Sequence, residues 1–209
     1  MIKEWYDKAW AEGMRLSRNL EDYNRYFKML KMTDGDNLLD IGCGDGKLVK
    51  IASESMIQNC STGIDISEVA IKKAEKDAML GVFYATKIED FVSNCKYVII
   101  TAIGSLEHCP DIASTLKKMY DLGYIHSRYL IVVPNSNFIY WKIKGKPGTH
   151  QKEIGETLYT LDQWSQIFKT AGFKIDKVTY DLGRGKLMKL AMPFIPLKYT
   201  YQFVFSLSK

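Results

Sequence analysis

The most informative segment of the chain reads "LLDIGCGDG", residues 38–46. It places a short apolar run directly before a loop that holds three glycines and an aspartate. Glycine has no Cβ, so such a loop can adopt positive φ and let a ligand lie directly on the backbone. If the apolar run is a strand, the loop lies at its carboxyl end, where open α/β sheets bind ligands. The segment therefore predicts a nucleotide-type site early in the chain.

Apolar runs and helical segments alternate on both sides of this loop. The runs are rich in Val and Ile, as expected of strands that are covered on both faces. Strands that alternate with helices of about 10–15 residues are typical of βαβ units and a parallel sheet. We therefore predict a three-layer α/β domain. The predicted strands are 38–41, 61–66, 82–86, 97–103, 128–134, 173–182 and 199–208, with helices at 47–55, 67–80, 111–123 and 160–172.

The length of 209 residues predicts a single domain over 1–209. Residues 1–32 have polar–apolar helical spacing and are expected to form a helical cover at the N-terminus. The segment 136–157 breaks the alternation with Lys and Gly residues and is expected to form a lid-like loop. In the helix that follows, Thr160 is the expected N-cap and Gly172 the expected C-cap.

Composition argues against several classes of protein. The net charge is +5 and is spread along the chain, unlike the concentrated basic face of a nucleic-acid binder. The four cysteines are scattered without a C-x-x-C pair, so neither a zinc site nor disulfides are predicted. No run approaches the roughly 20 apolar residues of a membrane span, and charges interrupt the N-terminus, unlike a signal peptide. A cytoplasmic location without a transmembrane segment is therefore expected.

The glycine loop fits one kind of ligand better than two others. A P-loop requires GxxxxGK[ST], but Gly42 and Gly46 are one residue too close and Leu48 replaces the hydroxyl. A dinucleotide fingerprint requires a small residue where Lys47 stands. Asp40 would also repel a pyrophosphate at the start of the helix, a place otherwise favourable to anions. Asp40 is better explained by a ligand that carries a cationic group.

S-adenosylmethionine (SAM) has such a group, the α-ammonium of its methionine portion. The pattern D-x-G-x-G-x-G at 40–46 resembles the first motif of class I SAM-dependent methyltransferases of the small-molecule type. "GIDIS", "YVIITAIGSLEHCPD" and "YLIVVPN" extend the resemblance over 37–135, and "LYTLDQWSQIFKTAGFKI" continues it more weakly. The resemblance implies a Rossmann-like fold with a mostly parallel, seven-stranded sheet whose last strand is antiparallel. It also implies SAM as cofactor and S-adenosylhomocysteine (SAH) as product.

Asp65 is a second candidate for cofactor binding. It ends the predicted second strand, 19 positions after Gly46. An acidic residue at that point accepts hydrogen bonds from ribose hydroxyls in nucleotide-binding α/β folds. The alternative is that Asp65 caps the helix that begins near Ser67, although Ser67 could cap that helix itself.

The predicted adenine end departs from the family pattern. Thr86 stands where the family often has an acidic residue that faces the adenine amine, so adenine is expected to contact the Thr86 hydroxyl or nearby backbone. Glu89 and Asp90 are expected to be surface carboxylates. The resulting cofactor site comprises Asp40, Gly42, Cys43, Gly44, Gly46, Asp65, Ile66, Thr86, Lys87, Ile88 and Thr101.

The segment "SLEHCPD", 105–111, lies where the family places residues beside the transferred methyl group. His108 is the candidate catalytic residue, because an imidazole titrates near neutral pH and can take a proton from an acceptor. The alternative is that His108 caps the next helix or shapes the cofactor pocket. Some relatives bind a divalent metal through ExxEH, but Gly104 replaces the first Glu here. Glu107 and His108 alone are too few ligands, so no metal is expected.

The expected acceptor is a small molecule, methylated on oxygen or nitrogen, and no nucleic-acid partner is expected. Aromatic residues could line its pocket, as could His150. The segment "PNSNFIYWKIKG" is also similar to the methionine-biosynthesis protein W family, which leaves a SAM-binding accessory protein as the alternative function. Membrane contact through the basic, apolar segment 184–198 is not favoured, and a monomer or homodimer is expected. The aromatic candidates are Tyr6, Trp10, Tyr23, Tyr140 and Trp141.

Overall fold

The computed structural model describes residues 2–14, 16–55, 60–78, 80–145, 148, 154–181, 190 and 192–209. The described chain is built around one seven-stranded sheet with the strand order β3-β2-β1-β4-β5-β7-β6. Strands β1 to β5 pair in parallel, and β7 runs antiparallel to both β5 and β6. This confirms the expected sheet and its antiparallel last strand. The strands are β1 (Leu38–Ile41), β2 (Ser61–Asp65), β3 (Val82–Ala85), β4 (Tyr97–Ile103), β5 (Gly123–Pro134), β6 (Lys174–Tyr180) and β7 (Gln202–Ser208).

Helices cover both faces of the sheet. Successive strand residues point to opposite faces, so Leu38 packs in a core cluster with Tyr26 while Leu39 packs in another with Trp164. The three-layer arrangement thus follows from strands that are apolar on both sides. The helices are α1 (Ile2–Ala11), α2 (Leu20–Leu30), α3 (Lys47–Ser55), α4 (Glu68–Asp77), α5 (Ile112–Leu122), α6 (Ile139–Lys144) and α7 (Leu161–Thr170). Among the residues that the structure describes, no helix is both long and apolar enough to cross a membrane.

Several element boundaries differ from the prediction. Within the first 32 residues, the helical cover consists of two helices, α1 and α2, whose bounds the sequence pattern does not predict. Strand β5 begins at Gly123, five residues earlier than expected. The segment expected to be a loop contains α6, whose Trp141 is buried against Phe138 and Met192. Met192 lies 51 positions after Trp141 in the chain, so the local sequence does not reveal the packing that stabilises this helix.

The ends of α7 show how local signals compare with the structure. Thr160 is the N-cap as predicted, and it forms a capping box with Gln163. The C-cap is Ala171 rather than Gly172, which follows it with a φ of +91°. The prediction was therefore one residue late, because the left-handed glycine stands just beyond the cap residue.

The N-terminal segment is held to the sheet by a buried ion pair. Arg18 donates a hydrogen bond to Asp181 over 2.7 Å, and it also contacts Gln202. Arg25 and Tyr26 of α2 donate to the other carboxylate oxygen of Asp181. Burial acts to raise the pKa of Asp181, but the two guanidinium groups outweigh it and hold that pKa at about 2. The charged network thus fixes α2 and the segment before it to Asp181, which follows β6, and to Gln202 of β7.

Candidate active site

The glycine loop turns sharply between β1 and α3. The amides of Gly42 and Cys43 both donate to the carbonyl of Ile64 at the end of β2, over 2.8 and 3.0 Å. Gly42 has a φ of +70°, and a Cβ there would lie 2.4 Å from the Cβ of Ser105. Two factors therefore oppose a side chain at this position: the positive φ of the backbone and the lack of space beside Ser105. The loop presents bare backbone at the carboxyl end of the sheet.

Asp65 joins this loop to the start of α4. One carboxylate oxygen accepts from the amide of Gly44 over 2.9 Å, and the other accepts from the amide of Ser67 over 2.9 Å. The N-cap of α4 is Ser67, whose hydroxyl accepts from the amide of Ala70. Asp65 is thus not the cap residue. A carboxylate has about four acceptor positions, so these bonds leave Asp65 with acceptor capacity for a ligand.

A cavity of about 700 Å³ opens between the loop, Asp65 and the N-terminal helices. Its volume lies within the about 300–1,000 Å³ typical of small-ligand sites. Tyr6 and Trp10 of α1 and Tyr23 of α2 form one wall, as expected for three of the aromatic candidates. The predicted site residues that line the cavity are Gly42, Gly44, Asp65, Ile66, Thr86, Lys87, Ile88 and His108.

Four predicted cofactor residues are not among those that line the cavity. Asp40 is 2% exposed and accepts a hydrogen bond from the Thr101 hydroxyl over 2.6 Å. Burial raises the pKa of Asp40 to about 7, and the nearby Asp65 charge adds to the effect. Cys43 is buried, and a Cβ at Gly46 would lie 2.8 Å from that of Ala74 in α4. Asp40 and Thr101 therefore lie on the strands behind the loop, whereas Cys43 and Gly46 are loop positions that pack towards α4.

The segment expected at adenine lies on the cavity wall. The Thr86 hydroxyl donates to the carbonyl of Lys87 over 3.2 Å. Glu89 and Asp90 are exposed, as expected of surface carboxylates, but they also line the cavity. Glu89 accepts from the Thr115 hydroxyl over 2.8 Å, which connects this segment to α5.

His108 lies at the cavity wall on a short 3-10 turn, Leu106–His108, that follows β4. Its ring packs edge-on against Tyr6 of α1, with centroids 6.1 Å apart. Burial raises the pKa of the neighbouring Glu107 to about 8, and Glu156 adds to this effect. Asp111, rather than His108, caps α5 by accepting from the amide of Ser114. The helix-capping alternative for His108 is therefore wrong.

Glu156 is a residue that sequence reasoning missed. It lies 48 positions beyond His108. The amide of Thr157 donates to the carbonyl of Glu107 over 2.8 Å, which brings Glu156 beside the turn. Glu107, His108 and Glu156 each present one ligand atom, and all three atoms lie within 4.8 Å of one another. No local motif predicts this contact, because it depends on how the end of the 136–157 segment returns to the turn after β4.

Two other acceptor-pocket candidates are placed elsewhere. Trp141 is buried in the cluster with Phe138 and Met192, and neither it nor Tyr140 is among the described residues that line the cavity. These two candidates therefore do not line the described cavity. His150 and residues 184–189 and 191 of the basic, apolar segment lie outside the described residues.

Comparison with known proteins identifies the family. Residues 10–178 match the family model described as "Methyltransferase domain", so the chain belongs to this family. A protein of Geobacillus sp. (strain WCH70) that is named as a methyltransferase is 25% identical over 85% of this chain and 89% of its own length. A ubiquinone biosynthesis O-methyltransferase of Actinobacillus pleuropneumoniae is 40% identical, over 40% of this chain and 39% of its own.

The fold agrees with this assignment. The structure of magnesium protoporphyrin IX methyltransferase from Synechocystis PCC 6803 superimposes with a TM-score of 0.71 at 13% identity, over 100% of this chain and 95% of that one. The protein is a class I SAM-dependent methyltransferase, and SAM is its cofactor.

The residues present fit this cofactor. Bare backbone at Gly42 leaves room that a Cβ would fill, and Asp65 retains acceptor capacity for vicinal hydroxyls. Both the glycine loop and Asp65 form part of the cavity wall. The site thus offers close backbone approach and a carboxylate in one enclosure, as a nucleoside with a charged amino-acid tail requires.

Proposed function

We propose that this enzyme transfers the methyl group of SAM to an oxygen or nitrogen atom of a small-molecule acceptor. The observation that carries the proposal is that one cavity contains both Asp65, beside the glycine loop, and His108, beside α1. Cofactor and acceptor could therefore meet in a single enclosure. The chemistry that the cofactor supplies is a methyl group on a sulfonium, already a strong electrophile.

The chain's own residues have separable tasks in this proposal. Asp65 accepts hydrogen bonds from the ribose, the glycine loop approaches the methionine portion, and the segment from Thr86 to Ile88 faces adenine. Asp40 supports the loop from behind, and an ammonium group of the cofactor near it would favour its charged form. Because attack must be in line with the bond that breaks, correct positioning of the acceptor carries much of the rate.

His108 is the proposed catalytic residue for the acceptor's proton. It lies on the cavity wall, and the packed ring of Tyr6 limits its movement. Helix α1 covers this end of the cavity and excludes water from the reacting atoms. Water exclusion matters because it strengthens the interactions of charged groups within the site.

The charge of the cavity supports a small acceptor over a nucleic acid. The lining includes five carboxylates, of Glu4, Asp65, Glu89, Asp90 and Asp111, against two lysines, Lys3 and Lys87. A phosphate backbone requires the opposite sign of charge at its binding surface. The name of the Actinobacillus relative makes hydroxyl acceptors the first class to test, although the match covers 39% of that enzyme.

A direct assay tests the proposal. Purified protein is incubated with SAM labelled in the methyl group and a panel of phenols, catechols, aliphatic alcohols and amines, and labelled product is separated by chromatography. We expect transfer to at least one hydroxyl or amine, and none with Gly42→Ala. A protein that binds SAM yet methylates only a nucleic acid or a protein would contradict the proposal. Binding without any transfer would favour an accessory role.

A further inference from the structure

We propose that Glu107, His108 and Glu156 bind one divalent cation at the acceptor end of the cavity. The three residues offer two carboxylate oxygens and one imidazole nitrogen, all within 4.8 Å of one another. Ligands about 2.1 Å from a shared ion lie up to about 4.2 Å apart, so small side-chain shifts would close the set. Carboxylate and imidazole together suit Mn²⁺, Fe²⁺, Zn²⁺ and Mg²⁺.

Glu107 supplies the independent observation that points to a ligand. Its side chain is 3% exposed, and its Oε2 atom has no hydrogen-bond partner among the described residues. A buried carboxylate oxygen without a partner is costly, whereas a cation would compensate it. Glu156 lies close to this carboxyl group, so a cation between the two would also offset the repulsion that arises when both are charged.

The backbone holds the three ligands in place from two separate segments. Glu107 and His108 lie on the 3-10 turn after β4, and the turn is closed by a hydrogen bond from the His108 amide to the Ser105 carbonyl over 3.1 Å. Glu156 is fixed by the neighbouring hydrogen bond from Thr157 to the Glu107 carbonyl. The ligand set is therefore assembled by the fold and not by a local sequence pattern.

The ion would act on the acceptor, and this part of the inference rests on the proposed function. Three protein ligands leave coordination positions open, as catalytic metal sites do, and His108 places the site at the cavity wall. A hydroxyl oxygen bound to the ion loses its proton to water more readily. That oxygen then bonds to the methyl carbon as the carbon–sulfur bond breaks, and the electron pair stays on sulfur. His108 would thus serve deprotonation as a ligand of the ion.

Manganese titration tests the site without an acceptor. The full chain is treated with EDTA, exchanged into metal-free buffer, and titrated with Mn²⁺ while the electron paramagnetic resonance signal of free Mn²⁺ is recorded. We expect one Mn²⁺ per chain, and affinity at least about 10-fold weaker in Glu107→Gln and Glu156→Gln. Glu54→Gln, which removes an exposed carboxylate on α3, should bind like the wild type. Parallel thermal unfolding should show a rise of about 5 °C at saturating Mn²⁺ in the wild type and in this control, but not in the two ligand variants.

Cofactor binding in the same samples separates the possible failures. Retained SAH binding shows that each variant is folded, and Glu156→Gln alters a half-buried position if Glu107→Gln fails to fold. No stoichiometric Mn²⁺ in a wild type that binds SAH and methylates an acceptor would overturn the metal site while the proposed function stands. Equal Mn²⁺ affinity in wild type and both variants would also overturn it, because the ion would then bind elsewhere. Repeating the titration with Mg²⁺ and Zn²⁺ as competitors ranks the ions.

Discussion

The two ends of the cavity are built in different ways. At the cofactor end, Gly42, Gly44 and Asp65 lie within 24 residues of one another and meet through backbone hydrogen bonds between neighbouring strands. At the acceptor end, Tyr6, His108 and Glu156 come from the beginning, the middle and the later part of the chain. The cofactor end is thus formed within one βαβ unit, whereas the acceptor end is assembled by contacts between segments that are distant in the chain. Substitutions should therefore damage them differently.

This difference between the two ends predicts which substitutions should impair each of them. The cofactor end should fail when the backbone path of a few residues is disturbed. The acceptor end should fail when distant segments separate, even if the glycine loop is intact. Variants at each end, and in the buried ion-pair network that fixes α2 to the sheet, should therefore lose different properties.

His108→Ala should lower turnover by about 10²–10⁴-fold, the usual contribution of a positioned acid or base. SAH affinity should stay within about twofold, because the substitution leaves the cofactor end intact. Steady-state rates with the best acceptor from the panel, together with calorimetry for SAH, measure both quantities. The control is His126→Ala, an exposed position on β5. Full turnover in His108→Ala would remove this residue from the mechanism.

Asp181→Asn should destabilise the fold by about 3–5 kcal/mol, because it leaves the buried Arg18 charge without its partner. Urea unfolding at pH 7 measures the loss. Asp176→Asn, which removes an exposed ion pair with Lys174, should change little. The pKa of Asp181 is lowered to about 2 in the folded protein. Its contribution to stability is therefore present above the unfolded value of about 3.9 and is lost as the pH falls towards 2.

Gly42→Ala should destabilise the protein by about 2–5 kcal/mol, since positive φ and a 2.4 Å contact with Ser105 both oppose a methyl group. Gly13→Ala is the matched control. Gly13 has a φ of +72°, but a Cβ there meets nothing within 4 Å. Chemical unfolding of the two variants separates backbone strain from steric conflict. Equal losses in both would show that the contact with Ser105 does not matter.

Asp40→Asn should alter the pH dependence of stability in the cofactor-free protein. Burial raises the pKa of Asp40 to about 7. A carboxyl group whose folded pKa is raised favours the folded state at low pH, and this contribution is lost as the pH rises through about 7. A pKa that differs by one between the folded and unfolded states corresponds to about 1.4 kcal/mol, so the wild type should lose about 2–4 kcal/mol more than the variant between about pH 4 and 8. Parallel pH profiles of urea unfolding would contradict the assignment.

The contrast between the two ends also explains what sequence could predict. The glycine loop and the place of Asp65 at the end of β2 follow from local spacing, since β1, its loop, α3 and β2 are consecutive in the chain. Trp141 lies away from the cavity because it packs with Met192, which comes from a distant segment. Glu156 was missed for the same reason: its position depends on the backbone contact between Thr157 and Glu107. In the local sequence, Glu107 and His108 are the two candidate metal ligands. The third candidate, Glu156, reaches them only through the fold of the chain.

The proposed site depends above all on Asp65, which should hold the cofactor in the cavity beside the glycine loop. Calorimetric titration with SAH of the wild type, Asp65→Asn and the exposed control Asp77→Asn measures this dependence. We predict one site of micromolar affinity in the wild type and control. Binding should be about 10–100-fold weaker in Asp65→Asn, as expected for lost hydrogen bonds to a charged group. Unchanged affinity in Asp65→Asn, or no binding to the wild type, would show that Asp65 does not hold the cofactor here.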